Sequence, residues 1–365
     1  MRKTKLSHML LILTCILVVF GLVMLSSASV VKSFEHKGNN YYYFIHQLLS
    51  GAIPGIAVLL IASFIDYRKW KRFAAPLLFI TLILLILVLI PGITVEAGGA
   101  RRWINLGPLS LQPTEIAKLT FLLYLTTWIE KREKGIKDFN TGFLPFISIV
   151  GIVCFLIMLE PDLGTMSVIV FSAIVVYYIA GARLSHLALL GVSGVALITL
   201  LIKTAPYRLA RFTVFLNPEL DPSGIGYQIN QALLAVGSGG LFGKGLGRSV
   251  QKYNYLPEVT GDSIFAVIAE ELGFFRIIFL LILFALFGII GFTISKRAPD
   301  FYGRILAAGI TTWIVFQAFV NIAAMLSLVP LTGIPLPFIS YGGTALLVSL
   351  SAVGILINIG RQADV

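Results

Sequence analysis

Apolar runs long enough to cross a bilayer recur along this chain, at 8–28, 43–64, 74–92, 114–129, 143–160, 165–181, 187–203, 264–294, 304–327 and 343–360. A hydrocarbon core about 30 Å thick asks for roughly 17–25 mostly apolar residues on one helix. Because no water is available inside it, each backbone amide must find its partner within the same segment. The pattern predicts an all-α, polytopic integral membrane protein of about ten transmembrane helices. Composition agrees: 58% of the 365 residues are hydrophobic and 12% charged, a balance that excludes an ordinary soluble domain. The runs at 114–129, 165–181 and 187–203 are short or interrupted, whereas 264–294 is long enough to tilt or to project beyond the membrane. No stretch reads as a linker, so residues 1–365 are expected to form one integral domain. Arg2, Lys3 and Lys5 precede the first run as they would in a signal sequence, but its apolar stretch is longer than the usual ~7–15 residues, which favours an uncleaved span. Cys15 and Cys154 lie inside apolar runs and read as buried thiols with no disulfide role.

Orientation follows from Lys and Arg. With a cytoplasmic N-terminus the inner segments carry sixteen of these residues, clustered at 2–5, 68–72, 131–137, 183, 296–304 and 361, and the outer segments ten, six of them in one long loop. Long loops count for little in this rule, so both termini are expected on the cytoplasmic side. The formal charge of +11 is then a topology signal, and no nucleic-acid partner is expected. The polar segments 93–113, 159–165, 204–263 and 328–342 all fall on the outer face, the third being a large extracytoplasmic loop between spans seven and eight.

The chain is organised around 256–273, Leu-Pro-Glu-Val-Thr-Gly-Asp-Ser-Ile-Phe-Ala-Val-Ile-Ala-Glu-Glu-Leu-Gly, a turn-rich loop expected to become an apolar helix that carries Glu270 and Glu271 to membrane depth. A charge there costs roughly 2.5–3.5 kcal/mol on the lenient insertion scales, so such residues face a bundle interior or a wet cavity. Asp262 either caps this helix or presents a carboxylate at its outer mouth. Directly after 93–113, Thr114 is placed to cap the fourth span, and Glu115 and Lys118 share a face at i and i+3. That pair is structural, or Lys118 joins Arg101 and Arg102 in offering positive charge to an anionic ligand. Trp103 reads as an interfacial anchor. Glu160 and Asp162 read as solvated turn residues, with Asp162 also placed to cap the next helix. The long loop holds an amphipathic helix and then Gly239-Gly240-Leu241-Phe242-Gly243-Lys244-Gly245-Leu246-Gly247; this lacks phosphate-loop spacing and does not predict nucleotide binding. Ser340, in a Pro- and Gly-rich loop, has no His or Asp partner in reading distance and is not a nucleophile candidate.

Taken together, Ala100-Arg101-Arg102-Trp103-Ile104, Gln112-Pro113-Thr114-Glu115-Ile116-Ala117-Lys118, Glu160-Pro161-Asp162-Leu163-Gly164-Thr165, the 239–247 glycines, Leu256-Pro257-Glu258 with Asp262 and Glu270-Glu271-Leu272-Gly273, and Pro335-Leu336-Pro337-Phe338-Ile339-Ser340-Tyr341-Gly342-Gly343 resemble the SEDS family (shape, elongation, division and sporulation) in the family's order. Gln251-Lys252 and Pro91-Gly92-Ile93-Thr94-Val95-Glu96 are similar to the division-type FtsW subgroup more than to the elongation-type RodA subgroup. One departure is Thr260-Gly261-Asp262-Ser263, where the family usually has His-Thr-Asp-Phe.

The resemblance implies a peptidoglycan glycosyltransferase that polymerises lipid II at the outer face of the bacterial cytoplasmic (inner) membrane, in cell division or cell-shape maintenance. A sugar hydroxyl of one lipid-linked disaccharide attacks the anomeric carbon of another, and undecaprenyl diphosphate leaves. Asp262 is the implied catalytic carboxylate. Arg102, Lys118 and Lys244, with Arg101 and Glu115, are candidate substrate contacts. A divalent cation, Mg2+ or Mn2+, is expected, with Asp262 a possible ligand, and no organic cofactor. A class B penicillin-binding protein transpeptidase and other divisome or elongasome membrane proteins are the implied partners. A lipid II flippase, or a non-catalytic scaffold for the penicillin-binding protein, are the alternatives.

Overall fold

In the computed structural model, which describes residues 5–90, 94–97, 100–107, 109–204, 206–221 and 224–363, the apolar runs fold as helices. They are α1 (Lys5–Ala28), α2 (Val30–Lys37), α3 (Tyr42–Gln47), α4 (Ile53–Phe64), α5 (Trp70–Leu87), α6 (Pro113–Lys131), α7 (Leu144–Leu159), α8 (Leu163–Ile179), α9 (Leu184–Thr204), α10 (Pro206–Leu216), α11 (Ile225–Ser238), α12 (Ile264–Leu272), α13 (Phe274–Arg297), α14 (Phe301–Met325) and α15 (Gly343–Ala363). A π-helical turn, Leu48–Ala52, joins α3 and α4 into one span, Tyr42–Phe64. Seven helices among the described residues are long and apolar enough to cross a membrane. The three apolar runs outside that set are α6, α8 and α9.

Helices α14 and α15 form the centre. In each, 78% of the apolar window is buried, against 22–44% for the other five spans. Helix α6 joins them, with Phe121, Leu125 and Ile129 buried. The outer helices turn Ile12, Val19, Leu60, Phe79, Phe155 and Phe279 outward, as lipid-facing surfaces do. Cys15, expected to be buried, is on that exposed surface, because its position on α1 points away from the bundle.

The start of α1 lies beside the end of α15: a Cβ at Gly360 would stand 3.5 Å from that of Ser7. On the same face Arg68 Nε donates to Asp300 at 2.6 Å, and Tyr67 N donates to Asn358 Oδ1 at 2.9 Å. On the opposite face β1 (Thr94–Ala97), β2 (Ala100–Leu106) and β3 (Leu109–Leu111) form an antiparallel sheet in the order β1-β2-β3. Its last strand is tied to the top of α15 where Thr344 Oγ1 donates to Ser110 O at 3.0 Å. The sheet is an addition to the helical reading. Helix α6 begins with Pro113, and Gln112 holds the cap position without a side-chain hydrogen bond. Thr114 therefore does not cap it, and its Oγ1 is buried without a partner.

The run at 264–294 is not one long span. Gly273, at φ 76 and ψ 179, ends α12 and α13 restarts at Phe274. The break lets the glycine-rich 239–247 segment dock: Lys244 N and Gly245 N each donate at 3.0 Å to the carbonyls of Glu270 and Glu271, and Phe274 N donates to Gly240 O at 2.9 Å. These bonds satisfy carbonyls that a helix end leaves without partners. The approach requires glycine, because a Cβ on Gly243, which has φ +80, would run into the carbonyl of Glu271. We expect Gly243→Ala to lower the thermal midpoint and folded yield in detergent, whereas Gly237→Ala, with nothing within 4 Å of the added methyl, is tolerated. Equal melting of the two variants removes this role.

Candidate active site

Asp262 sits in the turn that leads into α12. The loop folds back on Glu258, whose carbonyl accepts from Gly261 N at 2.9 Å and Ser263 N at 3.3 Å. Glu258 takes φ 51 to allow this, a conformation uncommon outside glycine. Ser263 occupies the cap position of α12, so Asp262 does not serve as that cap. The backbone around it is held from three sides. Asn321 Nδ2 donates to Asp262 O and to Ile334 O, each at 2.8 Å. Ser340 Oγ donates to Gly261 O at 2.7 Å, and Tyr341 N to Thr260 O at 2.8 Å. Thr260 and Gly261, two of the three residues that depart from the family pattern, thus contribute carbonyls that any residue type supplies.

One oxygen of the Asp262 carboxylate is left free by this scaffold. Its Oδ1 is buried with no hydrogen-bond partner, and Oδ2 would lie 4.0 Å from a Cβ at Gly333, where no side chain stands. Burial, followed by the negative charge of Glu258, pushes its pKa up to about 6; its own and Ser263's backbone amides and the Arg211 guanidinium pull the other way without prevailing. The helix N-terminus alone would have made this carboxylate a weaker base. Burial outweighs it, and Asp262 titrates near neutrality, the range suited to a general base.

Glu160 and Asp162 are not solvated. Both are buried. Asp162 caps α8 by accepting from Thr165 N at 3.0 Å and Thr165 Oγ1 at 2.8 Å. Glu160 has neither carboxylate oxygen hydrogen-bonded. Burial and then Asp162 push its pKa up to about 8, despite Arg102. Arg102, on β2, is fixed above this turn, donating from Nε to Glu160 O at 3.1 Å and from Nη2 to Pro161 O at 2.5 Å. Gly164, one turn on, packs so tightly under Thr332 and Ile334 that a Cβ would clash with both. The Arg102 turn and the Asp262 turn therefore flank the same 330–342 loop.

Lys118 is buried on α6, 2.8 Å from both oxygens of Glu115 and 2.8 Å from Gln317 Oε1, with its ammonium 5.1 Å from the Trp313 ring. Gln317 Nε2 donates onward to Pro335 O at 2.8 Å. Lys244 pairs with Glu270 at 2.6 Å, and Lys252 with Glu271 at 3.2 Å, where Ser27 Oγ also donates to Glu271 Oε1 at 2.7 Å. Glu270 and Glu271 are thus structural anchors for the 239–252 segment. The proposed cations divide accordingly. Lys118 and Lys244 are neutralised internally, Arg102 is partly exposed, and the Arg101 side chain lies outside the described residues. The guanidinium acting on Asp262 is that of Arg211 on α10. Neither Arg211 nor the Gln317 and Asn321 amides stands out in the sequence, although their i, i+4 spacing on a helix is a signal that could have marked the amides.

Among the described residues no group of three or more His, Cys, Asp or Glu side chains forms a cation cage. Asp262, with its unpartnered Oδ1, and Glu258 beside it still suit a hard cation, because Mg2+ is commonly held by one or two carboxylates together with substrate phosphates.

Residues 7–364 match the protein family described as "Cell cycle protein", the FtsW, RodA and SpoVE group. The chain belongs to that family. It is 43% identical over 362 residues to Stage V sporulation protein E of Bacillus subtilis, covering 99% of each chain. It is 42% identical to the probable peptidoglycan glycosyltransferase FtsW of Trichlorobacter lovleyi, covering 98% of this chain and 94% of that one. Two solved structures are also similar. One is a chain of a peptidoglycan synthase complex that coordinates polymerization and crosslinking, with TM-score 0.79, 29% identity and 97% of both chains covered. The other is the rod shape determining protein RodA of Thermus thermophilus, with TM-score 0.70, 29% identity and 96% and 95% covered.

Two outcomes follow from this family member's electrostatics. Because the native pKa of Asp262 exceeds its ordinary value of 3.8, the folded state binds more protons between pH ~4 and ~6, and stability falls as pH rises through that window. In EDTA at pH 8, Asp262→Asn should therefore melt several degrees above the native protein, the gap shrinking as pH falls toward 5; a destabilised variant contradicts the assignment. For the α6 pair, Lys118→Met alone strands a buried carboxylate and should cost ~3–5 kcal/mol. Glu115→Gln combined with Lys118→Met should recover most of that loss in the same melting assay.

Proposed function

We propose that this multi-pass membrane protein is a peptidoglycan glycosyltransferase, with lipid II as substrate and undecaprenyl diphosphate as leaving group, working at the outer face of the bacterial cytoplasmic membrane. The observation that carries the reading is Asp262: a carboxylate positioned through its backbone by α14 and the 330–342 loop, yet with Oδ1 free of any partner. Near-atomic placement of the carboxylate with its acceptor oxygen unused is what proton abstraction from a sugar hydroxyl needs.

In this mechanism the acceptor hydroxyl gives its proton to Asp262 as its oxygen bonds to the anomeric carbon of the donor, and the anomeric C–O bond to the diphosphate breaks. Arg211 and Arg102 are assigned to the departing diphosphate, since each has a guanidinium at the rim of the same loop system and bidentate guanidinium contacts suit phosphate oxygens. Lys118 and Glu115 act through Gln317, which holds the loop carbonyl at Pro335, and so position the site without contacting substrate. Lys244, paired with Glu270, has the same supporting role. A divalent cation held by Asp262 and Glu258 would supply charge to the diphosphate. An apolar groove of about 720 Å³ between α5 and α7, lined by Phe79, Ile83, Ile86, Ile152 and Phe155, offers a path for a prenyl chain. It runs along α7, whose last residue, Leu159, precedes Glu160. The similarity to a chain of a peptidoglycan synthase complex supports a class B penicillin-binding protein transpeptidase as partner, and the sporulation and division relatives favour a division-type role.

The test is polymerisation of labelled lipid II by the purified chain with its cognate transpeptidase. Asp262→Asn should abolish glycan strands, a loss of at least 100-fold, while retaining the fold by melting. Arg211→Ala should slow the reaction roughly 10- to 100-fold, and Arg211→Lys should recover part of it. Millimolar Mg2+ or Mn2+ should raise the melting temperature of the native protein but not of Asp262→Asn. Full polymerisation by Asp262→Asn would remove the base, and lipid translocation without glycan product would favour a flippase.

A further inference from the structure

A group of aromatic rings stands on the other side of the Asp262 loop, and nothing in the chemistry above uses it. Tyr42, Tyr43 and His46 project from α3, and Tyr341 from the turn before α15; all four are partly exposed. Their centroids lie 5.4 Å (Tyr42 to Tyr43), 5.0 Å (Tyr43 to Tyr341), 6.0 Å (Tyr42 to His46) and 5.7 Å (His46 to Tyr341) apart. Tyr341 Oη is 2.9 Å from His46 Nδ1.

An interfacial aromatic belt would have rings dispersed around the bundle and facing lipid. These rings instead share one spot, and the turn that carries Tyr341 is hydrogen-bonded to the Asp262 loop. Tyr341 N donates to Thr260 O, two residues from Asp262, and the preceding Ser340 donates from Oγ to Gly261 O. Next to His46, Gln47 locks the same turn, donating to Ser340 O at 3.3 Å and accepting from Gly342 N at 2.9 Å. The aromatic group and the carboxylate therefore move as one unit. Positive charge borders the rings: Lys32 Nζ lies 5.8 Å from the Tyr43 centroid and 3.7 Å from Glu258, and Lys37 Nζ lies 5.3 Å from the Tyr42 centroid. Both lysines are on flexible stems, so a ligand can displace them from the ring faces and meet them at its edge.

We propose that Tyr42, Tyr43, His46 and Tyr341 form the floor of a saccharide subsite that binds the N-acetylated sugar whose hydroxyl is presented to Asp262. Aromatic faces take the C–H side of a sugar ring, and the few polar groups at the edge, Tyr341 Oη and the Lys32 and Lys37 ammoniums, orient its hydroxyls and its acetamido oxygen. The inference rests on the glycosyltransferase reading for the identity of the sugar, and on the ring geometry for the existence of the subsite.

The test separates binding from turnover. Saturation-transfer NMR of the soluble N-acetylglucosaminyl-N-acetylmuramyl disaccharide is recorded on the detergent-solubilised full chain, and lipid II polymerisation is measured on the same chain with its transpeptidase. The native protein should transfer saturation to the sugar ring protons, and Tyr43→Ala should lose most of it. In the polymerisation assay Tyr43→Ala should raise the half-saturating lipid II concentration about 3- to 10-fold with maximal rate changed less, and Tyr43→Trp should restore it. If Tyr43→Ala fails to fold, Tyr42→Ala, at the rim of the group, takes its place. Polymerisation by the native protein with no saturation transfer, or transfer and half-saturation unchanged in the variants, overturns the subsite and leaves the enzyme reading standing. Saturation transfer that depends on Tyr43 without any glycan product supports the subsite and overturns the enzyme reading instead.

Discussion

Two side-chain amides one helical turn apart on α14 hold the outer half of this protein together. Gln317 accepts from Lys118 and from Trp313 Nε1, and donates to the Pro335 carbonyl. Asn321 donates to the carbonyls of Ile334 and Asp262. An amide suits this task because it bridges backbone segments without carrying charge to membrane depth, where an ion would cost several times more. Helix α14 is among the most buried in the bundle, so whatever it holds inherits its rigidity. The Asp262 turn, the 330–342 loop and the α6 ion pair consequently form one frame, and the loop glycines can leave room beside Asp262 without loosening it.

What the sequence made legible was the part governed by periodicity and solvent. Apolar run length marked the helices. Asp262, the Glu115–Lys118 spacing and the pairing of Glu270 and Glu271 within the bundle were also visible, since charges in apolar surroundings are conspicuous. The break at Gly273 was hidden because a single glycine in a long apolar run costs a helix only about 1 kcal/mol, and what decides the break is the docking of residues 239–245, which are distant in sequence. The β1-β2-β3 sheet was hidden in a glycine-containing segment with little alternation. Burial of Glu160 was hidden because a Glu-Pro-Asp turn looks the same in sequence whether it faces water or, as here, lies beneath Arg102 and beside a loop from the far end of the chain.

Lysine and arginine at the outer face illustrate how partners decide roles that residue type leaves open. Lys118, Lys244 and Lys252 each meet a buried carboxylate at 2.6–3.2 Å, and a charge so neutralised has little left to offer an anion. Arg102 binds neutral carbonyls, which leaves its full charge unopposed. Arg211 faces a carboxylate whose pKa is raised in spite of it. Positive charge available to a diphosphate is therefore concentrated on arginine, whose planar fork also matches phosphate geometry better than an ammonium does.

The same comparison bears on the choice of proposed base. Among the buried acidic residues at this face, Glu115, Glu270 and Glu271 have lysine partners and Asp162 is a helix cap. Three carboxylates keep an oxygen with no hydrogen bond, Glu115, Glu160 and Asp262, but that of Glu115 lies 2.8 Å from the Lys118 ammonium, which leaves Glu160 and Asp262 without a counter-ion at that distance. Burial acts on both, but it carries Glu160 to about 8 and Asp262 only to about 6, so near pH 7 the first is mostly protonated and the second mostly ionised. A neutral acid under Arg102 can keep that turn closed without repelling a phosphate. An ionised carboxylate with a vacant oxygen can accept a proton, and Asp262 is the group in this frame that meets both conditions at neutral pH.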